Sequence, residues 1–453
     1  MGRITLGQAA AWCGGFVEPQ YADITFLGAN MDSRKVQPGQ LFIALVGERD
    51  GHDYIPMAME KGAAAVLCSR KCGDYPAIIV EDPRLALGDI ARQERKRIGM
   101  QVVGVTGSVG KSTTKEMIAQ VLEGTYRVER TPANHNNDLG MPMAILAMPE
   151  DTQVAVLEMG MNHFREIAYL TSIAQPNVAV IVNIGTMHIE HLGSKEGILK
   201  AKMEILEGMR EDGQVFFNGD DPLLWSQRDL THLKLRYFGA ENEEGAVRAE
   251  NICQEPEYTG FVVKAGDVSF PVELALEGRH YICDALAAIS VGLALDVAPA
   301  KIQEKLSQFR NMAGRQEIFT HKGFTIIKDC YNAGPESMAA ALEVLGNREG
   351  RHVAVLGDML ELGACTQAEH YRVGRIAAQK ADLLFAFGPN GTRVLSGAMT
   401  GGMPDTRAMA FEDRDKLVAT LKRMAKPGDV LLFKGSRGMR MELVLEGFLK
   451  EEI

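Results

Sequence analysis

A chain of 453 residues is long enough for about three domains, each able to bury its own core. Its formal charge of -10 argues against nucleic acid as a main partner, because phosphate backbones select basic surfaces; any phosphate site must be local. No apolar run reaches the ~18 residues that span a bilayer and MGRITLGQAA has no apolar signal core, so a cytoplasmic chain, neither exported nor membrane-embedded, is expected.

Residues 1–98 read as a small α/β unit. Strands at LFIAL (41–45) and AAAVLC (63–68) flank a helix through Met57 and Met59, and a charged helix over ARQERKRIG (91–99) closes the unit. The polar clusters DSR (32–34) and ERDGHDY (48–54) stand at strand ends, where α/β units bind ligands, although solvated loops have the same composition.

Next comes VVGVTGSVGKSTTKEMIAQVL (102–122). An apolar strand (Val102, Val103, Val105) runs into the small-residue turn Thr106, Gly107, Ser108, Val109, Gly110. Lys111, Ser112 and Thr113 then open a helix with Met117, Ile118, Val121 and Leu122 on one face. This is the layout of a phosphate-binding loop: glycines let backbone amides close on phosphate oxygens, and the helix points its positive end at the same place. Lys111 would meet the terminal phosphates and Ser112 would hold magnesium. The strict pattern wants a glycine where the chain has Val105, so the assignment rests on the flanking strand and helix.

From 101 to about 313, near-continuous apolar strands (152–160, 177–186, 214–221) alternate with helix-length segments, predicting a mostly parallel sheet covered on both faces. Glu158 and His188 follow two of these strands, on the edge where open α/β sheets carry function. There they could hold metal near Lys111 or serve the structure alone. From about 314 the pattern restarts with 324–334, 352–363, 382–388 and 429–438, again α/β, with no GxGxxG after the first strand. The seven cysteines show neither a CxxC pair nor a disulfide framework, which fits reduced thiols.

Eight stretches together resemble the Mur ligases: DSRKVQPGQLFIALVGERDGHDY (32–54), TGSVGKSTTKEM (106–117), ANHNNDLGMPMAIL (133–146), LEMGMNHFREIA (157–168), MHIEHLGSKEGILKAKMEIL (187–206), DCYNAGPESM (329–338), LGDMLELG (356–363) and KGSRGMRME (434–442). The resemblance implies a three-domain α/β architecture. Residues 1–98 would bind the UDP-sugar peptide, 99–313 would be a central P-loop ATP-binding domain, and 314–453 a Rossmann-like domain for the amino acceptor. It implies ATP and Mg2+, and as substrates UDP-N-acetylmuramoyl-tripeptide and D-alanyl-D-alanine, joined through an acyl phosphate. No nucleic acid partner is implied, and a monomer is expected. Other readings are a family member adding a single amino acid, an inactive ATP-binding relative, or a nucleotide switch; a GTPase-type switch would want NKxD, and the chain has no Asn-Lys pair.

By the same resemblance, Lys111, Glu158, His188 and Lys202 would be catalytic, with Ser112, Glu158, His188 and a carbamylated Lys202 on metal. From the sequence alone, Lys202 reads as a surface helix lysine. Thr106, Gly107, Ser108, Gly110, Thr113, His280, Asp284 and Arg315 would join Lys111 and Ser112 on ATP. Ser33, Arg34, Asn136 and Asn137 would meet the UDP-substrate, and Asp329, Tyr331 and Asn332 would face the acceptor. Some positions depart from the family pattern: Tyr281 and Asp284 replace the asparagines of GxHNxxN, Lys328 and Gly334 alter DDxYNANP, and Arg165 replaces a glycine. An ionised Asp284 could only accept from adenine, Lys328 would reverse a charge beside the reaction centre, and Arg165 would stand near Glu158.

Overall fold

The computed structural model describes residues 4–230 and 233–450; the first three residues of MGRITLGQAA lie outside them. Gln101–Thr106 is the strand around which the largest sheet is ordered, with Val154–Glu158 on one side and Val178–Ile181 on the other, both parallel to it. Val102, Val103 and Val105 are fully buried because both faces of the sheet are covered, which explains why the strand reads as an unbroken apolar run. From this strand the chain crosses to the edge at Val128–Arg130, returns through Val154–Glu158, and then moves to the opposite flank at Val178–Ile181. Strand order therefore reverses at Gln101–Thr106, and a crevice opens outside the carboxyl ends of these strands.

The sheet continues in parallel through Gln214–Asn218, Lys234–Gly239 and Val247–Glu255, then ends in Tyr258–Ala265 and Val268–Leu274, which pair antiparallel. The parallel expectation fails at this end for a local reason. The last strands are separated by only two residues, which a hairpin can bridge and a parallel crossover cannot; Glu257 and Gly266 supply the positive φ of those turns.

The N-terminal sheet holds Leu41–Ile43 and Ala65–Cys68 as parallel neighbours, with the helix Ile55–Glu60 between them in sequence. The closing helix runs Pro83–Ile98. Asp82 caps it by accepting from the amides of Arg84 and Leu85, and Gly99 ends it at φ +74°. Its inner face, Leu87, Ile90 and Ala91, shares a core with Ile167, Leu170 and Ile173, and Arg95 donates to the carbonyls of Ala174 and Gln175. The helix thus joins the N-terminal sheet to the central one.

The C-terminal sheet orders Glu317–His321, Phe324–Asp329, Asp429–Lys434, Arg351–Gly357, Leu383–Phe387 and Ala408–Phe411, with only the first pair antiparallel. Its core is separate from the central one. Three adjacent strands deliver Asp329, Lys434 and the turn after Gly357 to one edge, facing the central crevice. All seven cysteines are free thiols.

Candidate active site

A cavity of about 510 Å3 lies between the carboxyl ends of the central and C-terminal sheets. On its central side, Gly110 takes φ +83° at the head of helix Lys111–Leu122, and a Cβ there would stand 2.7 Å from Asp284 Oδ1; only glycine fits. Asn183 braces the loop, accepting from the amides of Ser108 and Val109 at 3.1 and 2.9 Å and donating to Val109 O at 2.9 Å. Thr106 donates to Met159 O, tying the loop to the neighbouring strand. Lys111 folds over the turn, its Nζ 2.8 Å from Gly107 O and 3.1 Å from Ser108 O, and burial lowers its pKa. Ser112 and Thr113 are buried at the start of the helix.

Glu158 ends its strand buried. One carboxylate oxygen accepts from Asn136 Nδ2 at 2.8 Å, and the other has no hydrogen-bond partner. An orphaned buried acceptor costs about 1–3 kcal/mol, a cost that a cation would remove. His188 has a pKa lowered to about 4 by burial, with Lys111 and Lys202 adding to the effect, so its imidazole is neutral and able to ligate. Lys202 corrects the surface reading: it is 2% exposed, its Nζ donates to Gly107 O at 2.9 Å, and burial drives its pKa well down. Among the described residues no three His, Cys, Asp or Glu side chains gather as a metal cluster. A cation held here would need Ser112, a modified Lys202 or phosphate oxygens besides Glu158 and His188.

Across the cavity Arg315 donates to Ser112 Oγ at 2.9 Å, its guanidinium lying 4.2 Å from the centre of the Tyr331 ring. Asp329 pairs with Lys434 at 2.5 Å, and Lys434 also donates to the carbonyl of Asn332. Lys328 alternates to the other side of the strand and faces Glu317 at 3.4 Å, so its reversed charge is neutralised away from the cavity. A Cβ on Gly334 would stand 2.8 Å from Met187 Cγ, so a larger residue there requires the Met187 side chain to shift.

Other expected positions divide. His280, Tyr281 and Asp284 line the cavity, but Asp284 turns to the phosphate loop, accepting from Thr114 Oγ1 at 2.7 Å. Burial raises its pKa to about 7, so it is not the fixed anion that its residue type suggests. Tyr281 accepts at its hydroxyl from Asn311, 2.6 Å away. Asn137 lines the cavity and accepts from the amide of Gly140. Arg165 points away from Glu158 to Glu207 at 2.8 Å, and its φ of +73° explains why glycine suits that position. Ser33 is buried against Met57, and Arg34 is exposed on Asp32, both in the N-terminal unit outside this cavity. Asn183, Glu166, Glu336 and Lys434 also line the cavity and were not singled out from the sequence. Asn183 and Lys434 stand at strand ends, so the rule that drew attention to Glu158 also covers them.

Comparison with known proteins decides the family. The profile of the Mur ligase middle domain matches residues 105–292, that of the Mur ligase glutamate ligase domain 314–437, and that of the Mur ligase family catalytic domain 23–95. The chain belongs to the Mur ligase family. It is 39% identical to the UDP-N-acetylmuramoyl-tripeptide–D-alanyl-D-alanine ligase of Bacillus subtilis, over 97% of both chains. The solved structure of MurF from Acinetobacter baumannii superposes with a TM-score of 0.91 at 32% identity, covering 99% of each chain. That of MurF ligase from Thermotoga maritima in complex with ADP superposes at 0.83 and 31% identity, covering 94% of this chain and 97% of that one. As a Mur ligase the chain is an ATP-dependent ligase with three α/β parts. No helix among its described residues is long and apolar enough to cross a membrane.

Proposed function

We propose that this Mur ligase joins D-alanyl-D-alanine to UDP-N-acetylmuramoyl-tripeptide at the expense of ATP, through an acyl phosphate, in the making of peptidoglycan precursors. The observation that carries the reading is the cavity itself. A phosphate loop, an orphaned carboxylate oxygen and a cationic pair, Lys111 and Arg315, meet there from two separate cores. A carboxylate is a poor acylating agent and repels a triphosphate, so the site must neutralise charge before it aligns the reactants.

In this reading residues 99–313 bind ATP, 1–98 the UDP-sugar with Ser33 and Arg34, and 314–453 the acceptor with Asp329, Tyr331 and Asn332. The terminal carboxylate of the tripeptide attacks the γ-phosphorus, ADP leaves, and the acceptor amine opens the acyl phosphate, releasing phosphate and a proton. The loop amides and Lys111 cradle the transferring phosphoryl group, and Arg315 adds charge from the opposite wall. Ser112, Glu158 and His188 would hold Mg2+, which supplies charge neutralisation and alignment of the donor and acceptor oxygens. Burial lowers the pKa of Lys202 well below its ordinary value, which favours the free amine that adds to CO2; the resulting carbamate would complete the anionic wall. The dependence on ATP and a nucleotide-linked precursor supports a cytoplasmic setting.

A coupled ADP-release assay with an acceptor series tests the reading. Release that depends on D-alanyl-D-alanine together with the tripeptide is expected. Release with a single amino acid instead points to another Mur ligase step, and no release to an inactive relative.

A further inference from the structure

The central loop that carries His188 is clasped by the C-terminal unit at two points. Glu336, in the first turn of helix Pro335–Gly346, accepts from Thr186 N at 3.2 Å and from Thr186 Oγ1 at 3.2 and 3.1 Å. Two residues further on, Glu361 Oε2 stands 2.7 Å from His188 Nδ1. Nδ1 is buried, and Glu361 is in ion-pair range of it without meeting the geometry of a formed hydrogen bond.

The turn bearing Glu361 is built for this approach. Glu361 takes φ +63°, unfavourable for a residue with a Cβ, and His188 takes φ +64°. Gly363 lies so close to the helix Ile189–Leu192 that a Cβ would stand 3.0 Å from Glu190 Cα. Strained backbone on both sides of a contact persists where surrounding structure over-determines it. Glu361 is itself 51% exposed, so as an ordinary surface pair it adds little to stability, and its value lies in orientation.

We propose that Glu361 is a positioning residue. Its carboxylate fixes the Nδ1–H tautomer of His188 and leaves Nε2 as the ligating atom, so the metal wall of the central unit is complete only with the C-terminal unit seated. The inference rests on the reading of His188 as a metal ligand. Histidine ligands are commonly oriented through the second nitrogen by a carboxylate, and losing that partner typically weakens metal affinity 10–100-fold. The unusual feature here is that the partner belongs to a different sheet and core: Ile184 and Leu192 flank His188 in one core, Met359 and Leu362 flank Glu361 in another.

The test is Mn2+ binding followed by EPR with a non-hydrolysable ATP analogue, on the full chain and on Glu361→Gln, Glu361→Asp and His188→Ala. Glu361→Gln is expected to weaken one Mn2+ site at least about tenfold, leaving the nucleotide affinity and melting temperature unchanged, with Glu361→Asp recovering most of the loss. Loss of that site in His188→Ala but full retention in Glu361→Gln would overturn the proposal and leave the ligand reading standing. Retention of the site in His188→Ala would remove the ligand reading and the proposal with it. Equal weakening in Glu361→Gln and Glu361→Asp together with a lowered melting temperature would assign Glu361 a structural role and also overturn it.

Discussion

Arg315 sets its guanidinium 2.9 Å from the hydroxyl of Ser112, joining the first residues of the C-terminal unit to the head of the phosphate-loop helix. The Tyr331 ring lies under that guanidinium and limits where it can swing. Arg315→Ala should lower kcat about 10²–10³-fold, the cost of removing one preorganised charge donor. Tyr331→Leu should cost only about 2–5-fold, because one cation–π contact is worth about 0.5–1 kcal/mol. Steady-state kinetics in ATP check both, and a Tyr331 effect as large as that of Arg315 would give the ring a direct role.

Lys111→Ala should abolish measurable turnover, a loss above about 10³-fold, and leave binding of the UDP-sugar peptide nearly intact. Its Nζ is held by loop carbonyls of the central unit, whereas Ser33 and Arg34 stand on the N-terminal unit. Calorimetry with the peptide substrate separates the two effects; equal loss of both would contradict that division of labour.

Asp284 gives the pH dependence a sign. Burial raises its pKa from an ordinary 3.8 to about 7, against the lowering effect of the Thr114 hydrogen bond and of Arg315. The folded state then holds a proton that the unfolded state has lost, so this group's contribution to stability is complete below about pH 4 and falls as pH rises towards 7, by about 1.4 kcal/mol per unit at most. Asp284→Asn should therefore melt higher than the parent at pH 8, with the gap narrowing through pH 5 and closing near pH 4. Since a Cβ on Gly110 would touch this carboxyl, its ionisation also sets a negative charge beside the phosphate loop, and ATP affinity should weaken above pH 7 in the parent but not in the variant. Parallel pH profiles for the two proteins would refute this.

Arg165 is a test of backbone strain. At φ +73° any residue with a Cβ costs about 1–2 kcal/mol, and the surface pair with Glu207 returns about 0.2–1 kcal/mol. Arg165→Gly should be more stable than Arg165→Ala by about 1 kcal/mol in urea unfolding. Equal stability would show that the left-handed turn relaxes.

Much of this was legible in the sequence because it is local. The phosphate loop declares itself by strand, glycines and helix, and Glu158 and His188 by following apolar strands. Lys202 was not legible as a buried group: its helix is amphipathic with lysines at Lys195, Lys200 and Lys202, and only the packed fold turns the last inward onto Gly107. Lys328 and Arg165 misled for the opposite reason, since strand alternation and a left-handed turn aim them away from the cavity. Glu336, Glu361 and Lys434 are contributed across a boundary between cores, and no periodicity within one segment can report a contact made by another. The antiparallel end of the central sheet was hidden because its strands are half-exposed and carry many polar residues, and only two residues separate one from the next.

The central claim is that a carboxylate of the muramyl peptide takes the terminal phosphoryl group of ATP before the amine arrives. Labelling that carboxylate with oxygen-18 and analysing the released phosphate by mass spectrometry tests it most directly. Transfer of one labelled oxygen into each phosphate, with one ADP and one amide formed alongside, is the expected result. Unlabelled phosphate accompanying amide formation would contradict the acyl-phosphate route.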